Sequence, residues 1–334
     1  MQAQICTRTG PIESGPLTYA TVPDPQPEAN QVRIKIKACG VCHSNLHMIE
    51  GDWVSFGCPS KLPIIPGHEI VGVIDQMGKE VEGFQVGDRV GVQPIYESCR
   101  KCEYCLTGNE NLCERAQVTG ETVDGGYAEY LVAPHDFVYK LPDNLEFEES
   151  APLFCPGVTA YRAVKRAGIR LGQRVAIVGI GGVGHMSLQF AKLAGAETIA
   201  VDRTENQLKL AEELGADHML LSDNVEEFIS KVGKVDTVMV HAPSQKAVDQ
   251  AFNMVKKGGT ILMAVFGDVR VSFPQEYSII TSVVGSRNDV NQTLRIASMG
   301  KVRVRIKAYK LSEASDALLK LKMGQIVGKA VLVP

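Results

Sequence analysis

The chain has 334 residues, 45% hydrophobic and 22% charged. At roughly 100–200 residues per domain this predicts two globular domains and excludes disorder, collagen and coiled coil as overall descriptions. Lys and Arg number 35 against 38 Asp and Glu, a formal charge of −3. No global basic field exists to hold nucleic acid, and no stretch approaches the ~18 apolar residues of a membrane span.

The opening Met1–Gly10 is polar and lacks a signal-peptide core, so the expectation is a cytoplasmic protein. Nine cysteines occur, at 6, 39, 42, 58, 99, 102, 105, 113 and 155, all in the first half. In a long chain without an export signal they read as reduced thiols, some of them holding metal.

The first ~150 residues read as strands and turns. Gln31–Ala38 alternates Val32, Ile34 and Ile36 with Arg33, Lys35 and Lys37, the pattern of a strand with one wet face. Glu69–Asp75, Val86–Val92 and Tyr127–Ala133 are further short apolar runs between Gly, Pro and Asp. The texture changes near Pro156. Arg174–Val178 reads as a buried strand, followed by a helix with Val183, Met186, Phe190, Ala191 and Ala194 on one face. Thr198–Asp202 is a second strand, and the next helix, with Leu208, Ala211 and Leu214, stops at Gly215. After the strand Val235–Val240, Ser244 caps a helix carrying Val248, Ala251 and Val255, which Gly258-Gly259 ends. Ile261–Phe266 and Ile279–Val284 complete a strand–helix alternation that specifies a parallel sheet with helices on both faces. A short helix after Ser312 closes the chain.

Gly179-Ile180-Gly181-Gly182-Val183-Gly184 lies between a strand and a helix, and Asp202 ends the following strand about 20 residues on. Glycines let the backbone approach a pyrophosphate, and the helix N-terminus offers free N–H groups. Asp202 can accept from both adenosine ribose hydroxyls and would repel a 2′-phosphate. NAD is therefore expected over NADP, with the neighbouring Arg203 as the residue that argues the other way.

Cys99, Cys102, Cys105 and Cys113 form a C-x2-C-x2-C-x7-C run. Four thiolates that close wrap one tetrahedral zinc and leave no open position, which marks a structural site. With Glu103, Glu110 and Glu114 against Arg100 and Lys101, it is no nucleic-acid finger. A second set is dispersed: Cys42 in CGVCHSNLH, His68-Glu69 in PGHE, and Cys155 in FCPGVT. Together they offer two sulfurs, one imidazole and a carboxylate oxygen, and three ligands plus an exchangeable position is what catalysis needs.

Along nearly its whole length the chain resembles the zinc-containing medium-chain alcohol dehydrogenases, particularly the microbial branch. The resemblance rests on CGVCHSNLHMIEGDW, PIIPGHEIVG, VEGFQVGDRVG, CRKCEYC, GGYAEY, CPGVTAY, VGIGGVGH and GQIVGKAVLVP. It implies an α/β fold, with a GroES-like β-rich catalytic domain over residues 1–154 and 290–334 and a Rossmann domain, a doubly wound parallel sheet, over 155–289. By resemblance, Cys42, His68 and Cys155 hold a catalytic zinc with Glu69 as an alternating ligand, making two zincs per chain. Ser44 bonds the substrate oxygen and His47 passes its proton to water. His43 and Arg287 contact cofactor phosphates, Thr159 packs against the nicotinamide, and Val265 and Phe266 bond its carboxamide. Trp53, Phe56, Pro94, Ile95 and Phe154 are the implied pocket walls.

The chain departs from that family in three places. Asn45 replaces the usual acid beside the zinc-bound histidine. Pro94 stands where yeast-like relatives carry a pocket-narrowing tryptophan, which makes room for larger alcohols. His241, after the third Rossmann strand, has no functional reading beyond a loop residue at the cofactor rim. The expected activity is hydride transfer between a primary or secondary alcohol, or an aldehyde or ketone, and NAD, in a homodimer or homotetramer without nucleic-acid or membrane partners. Polyol, cinnamyl-alcohol and NADP-linked aldehyde-reducing relatives stay open as alternatives. So does a non-catalytic dinucleotide-binding or redox-sensing protein.

Overall fold

The structure, a computed structural model, describes residues 1–269 and 271–334. Among these described residues the chain divides into two compact units. One comprises Met1–Cys155, Gly285–Ser298 and Arg305–Pro334, the other Pro156–Val284 and Met299–Val304. The return to the first unit thus comes at 285 rather than 290. The segment around Arg303 groups with the second unit because the Gln189 amide brackets it, donating to the Arg303 carbonyl at 2.8 Å and accepting from its N–H at 2.8 Å.

The second unit is built on a six-stranded sheet. In spatial order the strands are His218–Leu221, Glu197–Asp202, Arg174–Val178, Val235–Val240, Val255–Met263 and Ser278–Thr281, every pair parallel. The order reverses between Arg174–Val178 and Val235–Val240. In a doubly wound sheet, ligands bind at that switch point, beyond the carboxyl ends of the strands. The strands are near-continuous apolar runs because helices cover both faces, and Ile177, Ala200, Val201, Val238 and Val240 are wholly buried. Ser244 caps its helix as the sequence predicts, its Oγ accepting from the Ala247 N–H at 3.3 Å. The end of that helix differs from expectation: it stops at Met254, and Val255 already belongs to the next strand. Val255 pairs with Val235 but Thr260 with Thr237, so the glycine pair lies inside a bulged strand instead of closing a helix.

The first unit is a seven-stranded sheet with the long strand Gln31–Gly40 at its centre. That strand pairs antiparallel with Glu69–Met77 on one side. On the other it pairs with Tyr130–Pro134 near its start and Lys329–Val333 at its end. Register breaks at Arg33/Ile34 and Ile36/Ala38 bend it. Val32, Ile34, Ile36, Ile70, Ile74 and Leu332 fill the core. Gly40 pairs with Glu69 at the end of this antiparallel ladder, which places the residues just after Gly40 beside those just before Glu69. Among the described residues no helix is long and apolar enough to cross a membrane.

Candidate metal centres and dinucleotide site

Cys42 follows the central strand and precedes the helix His43–Glu50. His68 immediately precedes the strand Glu69–Met77, and Cys155 follows the turn Ala151–Phe154. Ligand atoms of Cys42, His68, Glu69 and Cys155 all lie within 4.8 Å of one another. The two sulfurs are 4.0 Å apart, close to the about 3.8 Å that tetrahedral zinc with 2.3 Å bonds requires. His68 Nε2 and Glu69 Oε2 are buried and have no hydrogen-bond partner. Buried polar atoms are rarely left so, and a cation between them and the sulfurs satisfies both. The donor set and its orphaned atoms fit a zinc ion.

Partners that sequence reasoning missed hold these ligands in place. Lys329, 260 positions from Glu69, donates to Glu69 Oε1 at 2.7 Å and to the Val41 carbonyl at 2.6 Å, with both charges buried. A Cβ on Gly40 would sit 1.8 Å from Glu69 Oε2, so only glycine there admits the carboxylate. Burial raises the Glu69 carboxyl to about 7 despite the lysine. The shared S–H···S contact with Cys155 holds the Cys42 thiol well below its ordinary range and pushes that of Cys155 above it. Burial pulls the His68 imidazole down, but the Cys42 thiolate outweighs it and the net shift is upward.

Ser44 and His47 share one face of the helix that starts after Cys42, three residues apart. The Cys42 thiol donates to Ser44 Oγ at 3.6 Å, placing that hydroxyl beside the candidate metal ligands. His47 Nδ1 lies 2.7 Å from Asp52 Oδ2 and the ring stacks on Trp53 at 5.4 Å. Asp52 was not singled out from sequence; its position one turn past a candidate proton carrier was the available signal. His43 is exposed. Arg287 opens the helix Arg287–Ser298; its Nε donates to Glu110 at 3.0 Å and its guanidinium lies over Phe137. Of the implied pocket walls, Phe154 is fully buried, with its ring where a Cβ on Gly91 would fall, so it packs the core. Pro94 and Ile95 are buried, Trp53 is half-buried and Phe56 is exposed.

The four-cysteine loop also closes on itself, the ligand sulfurs of Cys99, Cys102, Cys105 and Cys113 lying within 4.8 Å of one another. The Cys102 N–H donates to Cys99 Sγ at 3.4 Å and the Cys99 N–H to Cys113 Sγ at 3.5 Å. These are the hydrogen bonds that favour thiolate over thiol. Donation from the Lys101 backbone leads the effects that bring Cys99 down to about 5.

In the second unit the glycine turn shows which glycine does what. Gly179 has φ +93° and a Cβ on it would meet the Ala242 N at 2.7 Å; one on Gly184 would fall 1.8 Å from the Gly179 carbonyl. Those two glycines serve the fold. At Gly181 a Cβ would meet no protein atom within 4 Å, so no contact within the fold demands glycine there and the turn is open at that point. Asp202 Oδ2 accepts from the Ile180 N–H at 2.8 Å, and Oδ1 from the Thr204 N–H at 3.0 Å. The carboxylate therefore stands at the mouth of the turn and also fastens it, a second role that spacing did not reveal. Gly182 and Val183 complete the turn before the helix Gly184–Leu193. Arg203 is exposed, Thr159 is buried on the helix Pro156–Ala167, Val265 is half-buried and Phe266 exposed.

Two family models match: an alcohol dehydrogenase GroES-like domain over residues 28–143 and a zinc-binding dehydrogenase domain over 182–299. An alcohol dehydrogenase of Geobacillus stearothermophilus is 43% identical over 326 residues, 95% of this chain and 96% of that protein. An NAD-dependent alcohol dehydrogenase of Sulfurisphaera tokodaii is 37% identical, covering 97% of this chain and 98% of that one. Among solved structures, the alcohol dehydrogenase of Aeropyrum pernix superposes with a TM-score of 0.93 at 35% identity, over 100% of both chains.

Proposed function

The chain belongs to the zinc-dependent medium-chain alcohol dehydrogenases, and from that premise we propose how its residues divide the work of interconverting alcohols with aldehydes or ketones. Cys42, His68 and Cys155 hold a catalytic zinc, with Glu69 within reach as an alternating ligand, and Cys99, Cys102, Cys105 and Cys113 hold a structural one. Zinc at the first site would supply the Lewis acidity that acidifies a substrate hydroxyl or polarises a carbonyl. Ser44, beside the Cys42 sulfur, relays the hydroxyl proton, accepting it as it gives up its own toward His47. His47, its Nδ1 committed to Asp52, passes that proton to water through the other ring nitrogen.

The dinucleotide supplies the hydride acceptor, and the protein supplies orientation. Gly179, Gly181, Gly182, Val183 and Gly184 cradle the pyrophosphate, and Asp202 takes the adenosine ribose hydroxyls. Its charge disfavours a 2′-phosphate, which makes NAD the preferred cofactor over NADP even with Arg203 adjacent. His43 and Arg287 serve phosphates, Thr159 the nicotinamide ring, and Val265 and Phe266 its carboxamide.

The observation that carries this reading is the convergence of one ligand atom each from Cys42, His68, Glu69 and Cys155 within 4.8 Å, in a group whose His68 Nε2 and Glu69 Oε2 are buried without partners. Nine unpaired thiols support a reducing, cytoplasmic setting. The edge strand Ser278–Thr281, preceded in sequence by the exposed Phe266, Val271 and Phe273, supports pairing into a homodimer or homotetramer. Absorbance at the nicotinamide band across a panel of alcohols, aldehydes and ketones, with both cofactors, tests the reading. Turnover with NAD of at least one alcohol class supports it; no turnover by a zinc-replete protein contradicts it.

A further inference from the structure

His68 presents Nε2 to the metal site and Nδ1 to the opposite side. If Nε2 gives its lone pair to a cation, the ring proton must sit on Nδ1, which then needs an acceptor. Two groups face that nitrogen. Asn45 Nδ2 is 3.3 Å away, and the wholly buried amide uses its Oδ1 to accept from the Tyr127 hydroxyl at 3.4 Å. With its oxygen engaged by Tyr127 and its –NH2 able only to donate, the amide as placed does not accept the Nδ1 proton. The second group is the carboxylate of Glu121, with Oε1 at 3.8 Å and its side chain 14% exposed. Its other oxygen accepts from the Cys58 thiol at 3.7 Å.

The placement of Glu121 is built into the backbone. Its turn lies on the residue that precedes His68: a Cβ on Gly120 would fall 2.6 Å from Gly67 N, and one on Gly125 2.1 Å from the Gly67 carbonyl. Gly126 N–H donates to the Gly67 carbonyl at 2.9 Å, Gly125 N–H to the Ile65 carbonyl at 2.7 Å, and the Asp124 side chain accepts from Ile65 N–H at 3.1 Å. Residues 118–127 and 64–68 are therefore fastened to one another, and the turn that carries Glu121 is held beside the loop that carries His68.

We propose that Glu121 is a positioning residue for the catalytic metal, its carboxylate holding His68 in the Nδ1–H tautomer and strengthening Nε2 as a ligand. The inference rests on the assignment of zinc to Cys42, His68 and Cys155. Carboxylates behind a metal-bound histidine characteristically contribute 10–100-fold in metal affinity. Here that charge arrives from a turn 53 positions downstream of His68, where no local motif announces it.

The test follows zinc release from the holoenzyme into excess chromogenic chelator, with the Cys42→Ala protein showing which kinetic phase belongs to the four cysteines. Glu121→Gln keeps size and shape while removing charge. It should speed the catalytic-site phase by about tenfold or more and leave the four-cysteine phase unchanged. Adding Asn45→Asp to Glu121→Gln restores a carboxylate on the other face of Nδ1 and should return release to within about threefold of wild type. An unchanged release rate in Glu121→Gln overturns the proposal. So does equal acceleration of both phases, or a failure of Asn45→Asp to rescue. A wild-type protein that holds zinc only at the four cysteines removes the underlying functional assignment as well, and is told apart by its missing first phase.

Discussion

Replacing Asp202 by Asn removes the charge that we assign to cofactor choice. The amide oxygen keeps an acceptor for the Ile180 N–H, now 2.8 Å from Oδ2, while the Thr204 N–H gives up the acceptor that Oδ1 offers at 3.0 Å. Also lost is one negative charge at the position where the 2′-oxygen of the adenosine ribose is expected. Two unit charges about 4 Å apart interact by about 4 kcal/mol at an effective dielectric constant near 20. The exposed Arg203 next in sequence and solvent screening remove part of this, leaving about 2 kcal/mol, or roughly a 30-fold rise in kcat/KM for NADP. NAD should lose a charge-assisted ribose contact, roughly tenfold in kcat/KM. Steady-state kinetics with both cofactors at one alcohol concentration read the ratio directly. If the NADP-to-NAD ratio stays within about threefold of wild type, Asp202 does not discriminate and the reasoning fails.

Gly181→Ala adds a methyl group where the protein has nothing within 4 Å. Its melting temperature should match wild type within about 2 °C, while the KM for the dinucleotide rises at least about tenfold; equal affinity would show that no ligand passes there. His241 gives a pH signature. Both its ring nitrogens are buried without partners although the residue as a whole is partly exposed, and burial lowers its pKa to about 4. The unfolded chain binds this proton near 6.5 and the native one does not, so stability is intact above 6.5 and falls as pH drops toward 4. Between pH 7 and 5, reversible urea unfolding of wild type should lose about 2 kcal/mol more than that of His241→Phe. Parallel pH profiles would contradict this.

What the sequence made legible was local. The glycine turn, the Ser244 cap and the four-cysteine loop each lie within about one element, where spacing and geometry are directly coupled. The dispersed metal set required a resemblance, because nothing in a linear pattern says that Cys42 and Cys155 end 4.0 Å apart. The groups that support it were unreadable for the same reason: Lys329 reaches Glu69 across 260 positions, and Glu121 reaches His68 through glycine contacts between two loops. The misplaced helix end at Val255 has a different cause. Gly258-Gly259 is the signature of a helix stop, yet sheet pairing with Val235 took Val255 into the strand and left the glycines to form its bulge.

Metal analysis of purified wild type beside Cys155→Ala bears most directly on the account as a whole. Two zincs per chain in the wild type should fall to one in the variant, with alcohol oxidation abolished and NADH binding retained. A variant that keeps both zincs, or one that loses a zinc and still oxidises alcohol at the wild-type rate, would show that Cys42, His68 and Cys155 do not form the centre on which the chemistry depends.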